Sequence, residues 1–163
     1  MTVSKSSESG DATTTSAAGL FVTMTIADQL FGVPVLSVQD VLGPQKITRI
    51  PLAPPEVAGA LNLRGRIVTA IDVRTRLGLD PRSAENKGMS IVVEHGGEHY
   101  SLMVDSVGEV LSLPPEAFER NLSTLDARWR EVSAGIYRLD GQLLVVLEVD
   151  RVLNIGPRPV AAA

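Results

Sequence analysis

The chain has 163 residues, a formal net charge of −4 at pH 7 and no cysteine. The acidic balance argues against nucleic-acid binding, because no basic stripe is present to displace counterions from phosphates. The lack of cysteine excludes disulfides, thiol catalysis and cysteine-ligated metals. Hydrophobic residues make up 44% of the chain but aromatic residues only 4%, so Val, Leu and Ile must form the core. That composition favours β-strands.

Residues 1–19 are small, polar and aperiodic. Such a segment buries too little apolar surface to offset the entropy of ordering it, so we expect a disordered tail. It lacks the apolar stretch of a signal peptide, and no apolar run approaches the roughly 18 residues of a membrane span. We therefore expect a cytoplasmic protein that does not insert into the membrane, with a second short tail at 157–163.

The first half of the remaining chain predicts one unit of short strands. Residues 21–35 predict a β-hairpin with a turn near 27–29, and valines spaced by three over 35–43 predict a short helix. Prolines then impose an extended, irregular path over 47–59. Residues 60–73 predict two strands folded about Arg64–Gly65–Arg66.

The same series of elements recurs after a polar connector at 83–88. Phe31 aligns with Tyr100, and Gly65 aligns with Gly141 once an insertion within 114–131 is allowed for. We expect a helical turn or two in that insertion. The duplication predicts an all-β fold of two tandem five-stranded SH3-like barrels with short helices, built from repeats at about 20–82 and 89–156. The sequence leaves open whether the end strands are exchanged between the barrels.

Few residue patterns suggest chemistry. His95 and His99 flank Gly96–Gly97–Glu98 and could contribute to a metal site, but an exposed hairpin turn explains them more simply. Asp72 and Glu148 occupy matching positions in the two repeats, where capping of a following helix is favoured over acid–base catalysis. We therefore expect no enzyme activity, no metal and no cofactor.

Two other features suggest a binding surface. The apolar stripe Val35, Val38 and Val41 recurs in the second repeat as Val107 and Val110. It either lies in the core or leaves an apolar groove open to a partner helix.

A pair of opposite charges adds to this. Asp40 is matched by the acidic Glu109, whereas Asp140 replaces Arg64 in the second repeat. An arginine present in only one copy is either a solvated surface charge or an ion-paired residue that presents a docking surface.

These same segments resemble the CheW family of chemotaxis coupling proteins. The resemblance is carried by NLRGRIV at 62–68 with AIDVR at 70–74, FGVPVLSVQDVLG at 31–43, ITRIP at 47–51 and LMVDSVGEVLSL at 102–113. It covers about residues 20–156. Thr69 departs from the proline that is usual in the family, and Asp40 from the common glutamate.

The resemblance implies an adaptor that joins the cytoplasmic tip of chemoreceptors (methyl-accepting chemotaxis proteins) to the regulatory domain of the histidine kinase CheA. Other CheW-like barrels are further expected partners, in rings. The implied receptor-binding residues are Met24, Val35, Val38, Asp40, Val41, Gly59, Arg64 and Val107. The expected kinase-binding residues are Arg49, Ile50, Pro51, Phe118, Glu119 and Leu122.

Other functions stay open at this point. The chain could couple receptors to a kinase pathway outside chemotaxis, such as surface motility, or be a detached regulatory-domain paralogue that binds only other barrels. From a different class, it could be a small-ligand-binding barrel, which a closed pocket holding His95 would favour.

Overall fold

The computed structural model describes residues 19–83, 85, 87–120, 123 and 125–155. The expected tails at 1–19 and 157–163 lie outside these residues, except for Gly19. The strands of the described ranges are β1 Leu20–Ile26, β2 Gln29–Pro34, β3 Val38–Leu42, β4 Val57–Leu63, β5 Arg66–Asp72, β6 Met89–His95, β7 Glu98–Val104, β8 Ser106–Ser112, β9 Ser133–Leu139 and β10 Gln142–Leu147. The helices are short: α1 Val73–Arg76, α2 Ala127–Arg130 and α3 Val149–Val152.

The strands form two five-stranded sheets, and each sheet contains strands from both repeats. One sheet has the order β8-β1-β2-β10-β9, and the other has the order β3-β6-β7-β5-β4. The first hairpin of each repeat therefore joins the last three strands of the other repeat, through the parallel pairs β2–β10 and β5–β7. Replacing each strand by its repeat equivalent converts one order into the other. The two halves are related by a quasi-twofold, and neither sheet is complete without both.

Three apolar clusters hold this arrangement together. The largest lies between the sheets and takes residues from both, including Phe31, Val33, Ile91 and Leu102. A smaller cluster belongs to each sheet alone, around Tyr137 in one and around the residues Leu61, Val68 and Ala70 in the other. Central strands are thus covered on both faces, which is why a segment such as 142–147 is apolar nearly throughout instead of alternating. The duplicated all-β fold predicted from the sequence is confirmed.

Each sheet is closed by a short bridge from the loop that follows its edge strand. Thr48 pairs with Ala60 in β4, and Glu119 pairs with Ile136 in β9. A glycine precedes the bridged residue in both strands, Gly59 and Gly135. A Cβ on Gly59 would lie 2.7 Å from Ile47 Cγ2, and one on Gly135 would lie 2.5 Å from the Glu119 carbonyl oxygen. The glycines therefore permit the close backbone approach that closes each barrel.

The helix predicted over residues 35–43 is wrong. Val35–Ser37 form one 3-10 turn, and Val38–Leu42 form the edge strand β3. The register with β6 shifts between Val38 and Asp40, so one extra residue bulges from β3. This β-bulge puts Val38 and Val41 on the same face although they are three residues apart. A spacing that is typical of a helix thus arises from a bulged strand.

Asp72 and Glu148 each precede a short helix, as predicted, and the insertion within 114–131 contains helical turns. Asp72 caps α1, with its carboxylate accepting a hydrogen bond from the Thr75 N–H at 3.4 Å, whereas Glu148 precedes α3 without a side-chain cap. The insertion contains a 3-10 turn at Pro115–Ala117 and α2, as expected. From α2, Trp129 packs against Phe31 with ring centroids 5.5 Å apart.

Within the described residues, no helix is long and apolar enough to cross a membrane.

Candidate partner-binding surface

The turn between β4 and β5 is built by the NLRG motif. Arg64 and Gly65 both have positive φ angles, 53° and 81°, which is the geometry of a two-residue type I′ hairpin turn. The Asn62 side-chain oxygen accepts a hydrogen bond from the Gly65 N–H at 2.9 Å. The left-handed region is costly for a residue with a long side chain. In this turn, the positive φ angle of Arg64 directs its guanidinium group towards Asp40 on β3.

Arg64 meets Asp40 in an exposed ion pair. The Arg64 Nη1–Asp40 Oδ2 distance is 2.9 Å, and the Arg64 side chain remains 74% exposed. The second Asp40 oxygen accepts a hydrogen bond from the Val41 N–H at 2.9 Å. The hydrogen bond from Arg64, followed by the bond from Val41, lowers the pKa of the Asp40 carboxyl below its ordinary value. The arginine thus fixes the charge and orientation of a carboxylate beside the valines of β3.

Replacing Arg64 with glutamine should raise the pKa of Asp40 towards its usual value, because the strongest hydrogen bond to the carboxylate is lost. NMR titration of the Asp40 carboxyl carbon measures the shift. We expect no loss of thermal stability, since this pair is exposed and screened. Arg138→Gln, which breaks another exposed ion pair with a Glu119–Arg138 distance of 2.8 Å, serves as the control and should leave the Asp40 titration unchanged.

Four valines lie on the edge strands of the two sheets at equivalent positions. The register of β8 with β1 also shifts by one residue, so Val107 and Val110 lie opposite Met24 and Val22. On β3, Val38 and Val41 lie opposite Val93 and Ile91. All four partners belong to the cluster between the sheets. The bulges thus place both valine pairs at the rim of the shared core, and we call Val38, Val41, Val107 and Val110 the rim valines.

Exposure differs among these residues. Val41 and Val110 are 40% and 50% exposed, whereas Met24, the strand partner of Val107, is only 1% exposed. Val35, Val38 and Val107 are half-buried against the shared core. Sequence reasoning did not include Val110 among the candidate receptor contacts, although its alignment with Val41 would have found it. Among the rim valines, an apolar contact with a partner would therefore be made chiefly through Val41 and Val110.

The candidate kinase-contact segments lie at equivalent places in the two halves. Arg49–Ile50–Pro51 follows the bridge at Thr48, and Phe118–Glu119 contains the bridge at Glu119. Ile50 is 42% exposed, and a cleft of about 560 Å³ borders its loop. Phe118 instead packs against Tyr137 at 5.4 Å between ring centroids. Leu122 lies outside the described residues.

The histidines lie on the surface. His95 is exposed beside the β6–β7 turn at Gly96–Gly97, and His99 Nδ1 lies 3.3 Å from the Arg66 guanidinium. Because arginine only donates, His99 Nδ1 must act as the acceptor in this contact. The described part of the chain contains no group of His, Asp and Glu residues arranged to hold a metal ion.

Comparison with known proteins assigns the chain to a family. The sequence profile of the family described as the CheW-like domain matches residues 20–156. The chain belongs to the CheW-like domain family. Its described part also resembles the crystal structure of the scaffolding protein TtCheW from Thermoanaerobacter tengcongensis, with a TM-score of 0.76 and 27% identity over 85% of this chain and 94% of that one.

Individual relatives give the same picture. The chemotaxis protein CheW of Klebsiella aerogenes is 28% identical over 134 residues, 82% of this chain and 81% of the relative. CheW of Rhizobium meliloti is 26% identical, over 83% of this chain and 88% of the relative. Protein PilI of Pseudomonas aeruginosa is 27% identical, over 72% of this chain and 66% of the relative. The CheW resemblance drawn from the sequence motifs is confirmed, and with it a scaffold or adaptor class.

Proposed function

We propose that this CheW-like chain is a non-catalytic adaptor that couples chemoreceptors to the histidine kinase CheA. The observation that carries the proposal is the exposure of Val41 and Val110, 40% and 50%, on the equivalent edge strands of the two sheets at the rim of one core. A helical hairpin from a receptor tip would bury these side chains with its apolar face. The Asp40–Arg64 pair, 2.9 Å apart, would flank that contact with fixed charges.

The kinase would bind elsewhere on the molecule. The segments at Arg49–Ile50–Pro51 and Phe118–Glu119 each adjoin a barrel-closing bridge, so the two halves offer equivalent ends to other barrels. A receptor on the rim valines and a kinase at a barrel end would be coupled through the rigid sheets between them. Each contact is small, and assembly into rings would add avidity.

Val41→Asp should weaken binding of a receptor-tip fragment at least about tenfold, because the charge would have to be buried against the apolar face of the helix. Isothermal titration calorimetry measures the affinity. Ile67→Asp is the matched control: Ile67 is 68% exposed on β5, neither its strand partner nor the cleft that it lines includes a rim valine, and its replacement should leave the affinity unchanged. Equal affinity of Val41→Asp and the unchanged chain would contradict the receptor site.

The kinase contact needs its own measurement. The regulatory domain of CheA should bind the Val41→Asp variant as well as the unchanged chain, because the two sites are separate. A chain that binds this domain but never a receptor tip would be a detached regulatory paralogue instead. Val38→Asp is a less clean probe than Val41→Asp, since Val38 packs against the shared core and its replacement should also lower stability.

A second candidate function differs only in the pathway. Protein PilI, a relative that is not named a chemotaxis protein, is 27% identical, close to the 28% identity of CheW of Klebsiella aerogenes, and we therefore keep an adaptor of the same kind in a kinase pathway outside chemotaxis as the second candidate. Titration against receptor tips from both kinds of pathway separates the two candidates.

A further inference from the structure

The quasi-twofold relates two corners of the molecule, and one of them is held by a part-buried ion pair. Arg74 in α1 donates two hydrogen bonds to Asp105, which follows β7, at 2.8 and 2.6 Å. Asp105 also accepts a hydrogen bond from the Ala27 N–H in the β1–β2 turn at 2.8 Å. The side chains of this pair are only 15% and 12% exposed. We call Ala27, Arg74 and Asp105 the latched corner, because it fastens the hairpin of one sheet to α1 beside the other.

The equivalent corner has no such latch. The repeat correspondence puts Leu36 where the latched corner has Asp105, and Asp150 where it has Arg74. Gly96 takes the place of Ala27. We call Leu36, Gly96 and Asp150 the open corner. A surface cleft of about 420 Å³ occupies it, lined by Leu36, Ser37, Gln39, Glu94, His95, Gly96, Gly97, Val149 and Asp150.

The open corner combines an uncovered apolar side chain with negative charge. Leu36 is 72% exposed, the largest exposed fraction of any large apolar residue in the described ranges after Leu52. Glu94 and Asp150 are exposed carboxylates on either side of the cleft. Neither takes part in an ion pair with another described residue. His95 is the single basic side chain that lines the cleft.

We propose that the open corner is a docking site for a partner segment that presents an apolar side chain next to an arginine or lysine. The apolar side chain would cover Leu36 and Val149. The cation would pair with Asp150 and Glu94, and so would supply from outside the charge that Arg74 supplies at the latched corner. An acidic segment would be repelled by the same carboxylates. The cleft adjoins Val38, whose chain neighbours Ser37 and Gln39 line it, but it contains no rim valine and the proposal does not depend on a receptor binding there.

The placement of the corner gives such a partner influence over the fold. At the latched corner, Arg74 and Asp105 connect parts of the two sheets that are far apart in sequence. At the open corner, no ion pair between described residues connects the hairpin turn to α3. A bound cation would complete the second connection. Docking should therefore stiffen the β6–β7 turn relative to α3.

The first test uses two synthetic helical peptides of about 15 residues, identical except that arginines beside leucines in one are glutamates in the other. With the full-length ¹⁵N-labelled chain, the arginine peptide should shift the amide signals of residues 36–37, 94–97 and 149–150, and the glutamate peptide should not. Binding should weaken as salt is raised. Shifts centred on Val41 and Val110, or equal binding of both peptides, would overturn the proposal.

Charge and contact variants sharpen the test. Asp150→Lys and Leu36→Glu should each weaken binding of the arginine peptide about tenfold or more. Glu116→Lys, a charge reversal at another exposed acid, is the control and should have no effect. Val41→Asp should also leave the peptide affinity unchanged, so that failure of the receptor proposal and failure of this one are distinguishable. Full affinity in Asp150→Lys would overturn the site.

A double variant builds the missing latch. Leu36→Asp with Asp150→Arg places an acid and an arginine at the positions that correspond to Asp105 and Arg74. The open corner should then close on itself, with a higher melting temperature and loss of peptide binding. Retention of the peptide by this variant would overturn the proposal whether or not the melting temperature rises.

Discussion

Arg74→Ala should lower the free energy of unfolding by about 1.5–3 kcal/mol, because the part-buried Asp105 carboxylate loses its two hydrogen bonds from a cation. The pair is nearly enclosed, with side chains 15% and 12% exposed. Arg74 also donates to the Asp80 carbonyl oxygen at 2.8 Å, so the loss extends to the loop after α1. Urea denaturation followed by circular dichroism measures the change. Arg138→Ala, which removes an exposed pair, should cost less than about 1 kcal/mol.

The loss of stability in Arg74→Ala should also depend on pH. The hydrogen bonds from Arg74 lower the pKa of Asp105 in the folded chain. A carboxyl whose pKa is lower in the folded chain than in the unfolded chain stabilises the fold. That contribution is complete above the unfolded pKa of about 3.9 and is lost as the pH falls through the pKa of the folded chain. The stability difference between the unchanged chain and Arg74→Ala should therefore be largest near neutral pH and shrink below about pH 4. A difference independent of pH would mean that the ion pair is not its source.

Gly59→Ala should lower the free energy of unfolding by about 3 kcal/mol, since it combines backbone strain with overpacking. Gly59 has a φ of +150°, and its added Cβ would lie 2.7 Å from Ile47 Cγ2 and 2.8 Å from the Thr48 carbonyl carbon. The bridge between Thr48 and Ala60 would have to open, and with it one barrel. Urea denaturation measures the loss, and failure to fold at all would be the same result in a stronger form.

Gly43→Ala is the control for this prediction. Gly43 has no positive φ, and no atom lies within 4 Å of an added Cβ. Its replacement should leave stability unchanged or slightly raised. A Gly59→Ala variant as stable as Gly43→Ala would show that the bridge at Thr48 does not close the barrel.

The duplicated fold could be predicted from the sequence because the repeat leaves local signals. Paired glycines at the hairpin turns and aligned apolar positions, such as Phe31 with Tyr100, are properties of short segments. The Asp40–Arg64 pair was also identifiable, because an arginine present in one copy alone is not needed by the barrel. The prediction of a helix at 35–43 failed because a β-bulge imitates a three-residue spacing, and bulges depend on the neighbouring strand.

The sequence by itself thus determined the strand content, the duplication, the turn chemistry and the family. Only the tertiary structure decided which strands share a sheet, because both repeats carry nearly the same apolar pattern and exchange of the hairpins changes no local preference. It also decided that Met24 is buried while Val41 and Val110 remain exposed, and that Arg74 meets Asp105 while Leu36 and Asp150 face an open cleft. Exposure and long-range pairing depend on what the rest of the chain places alongside a residue.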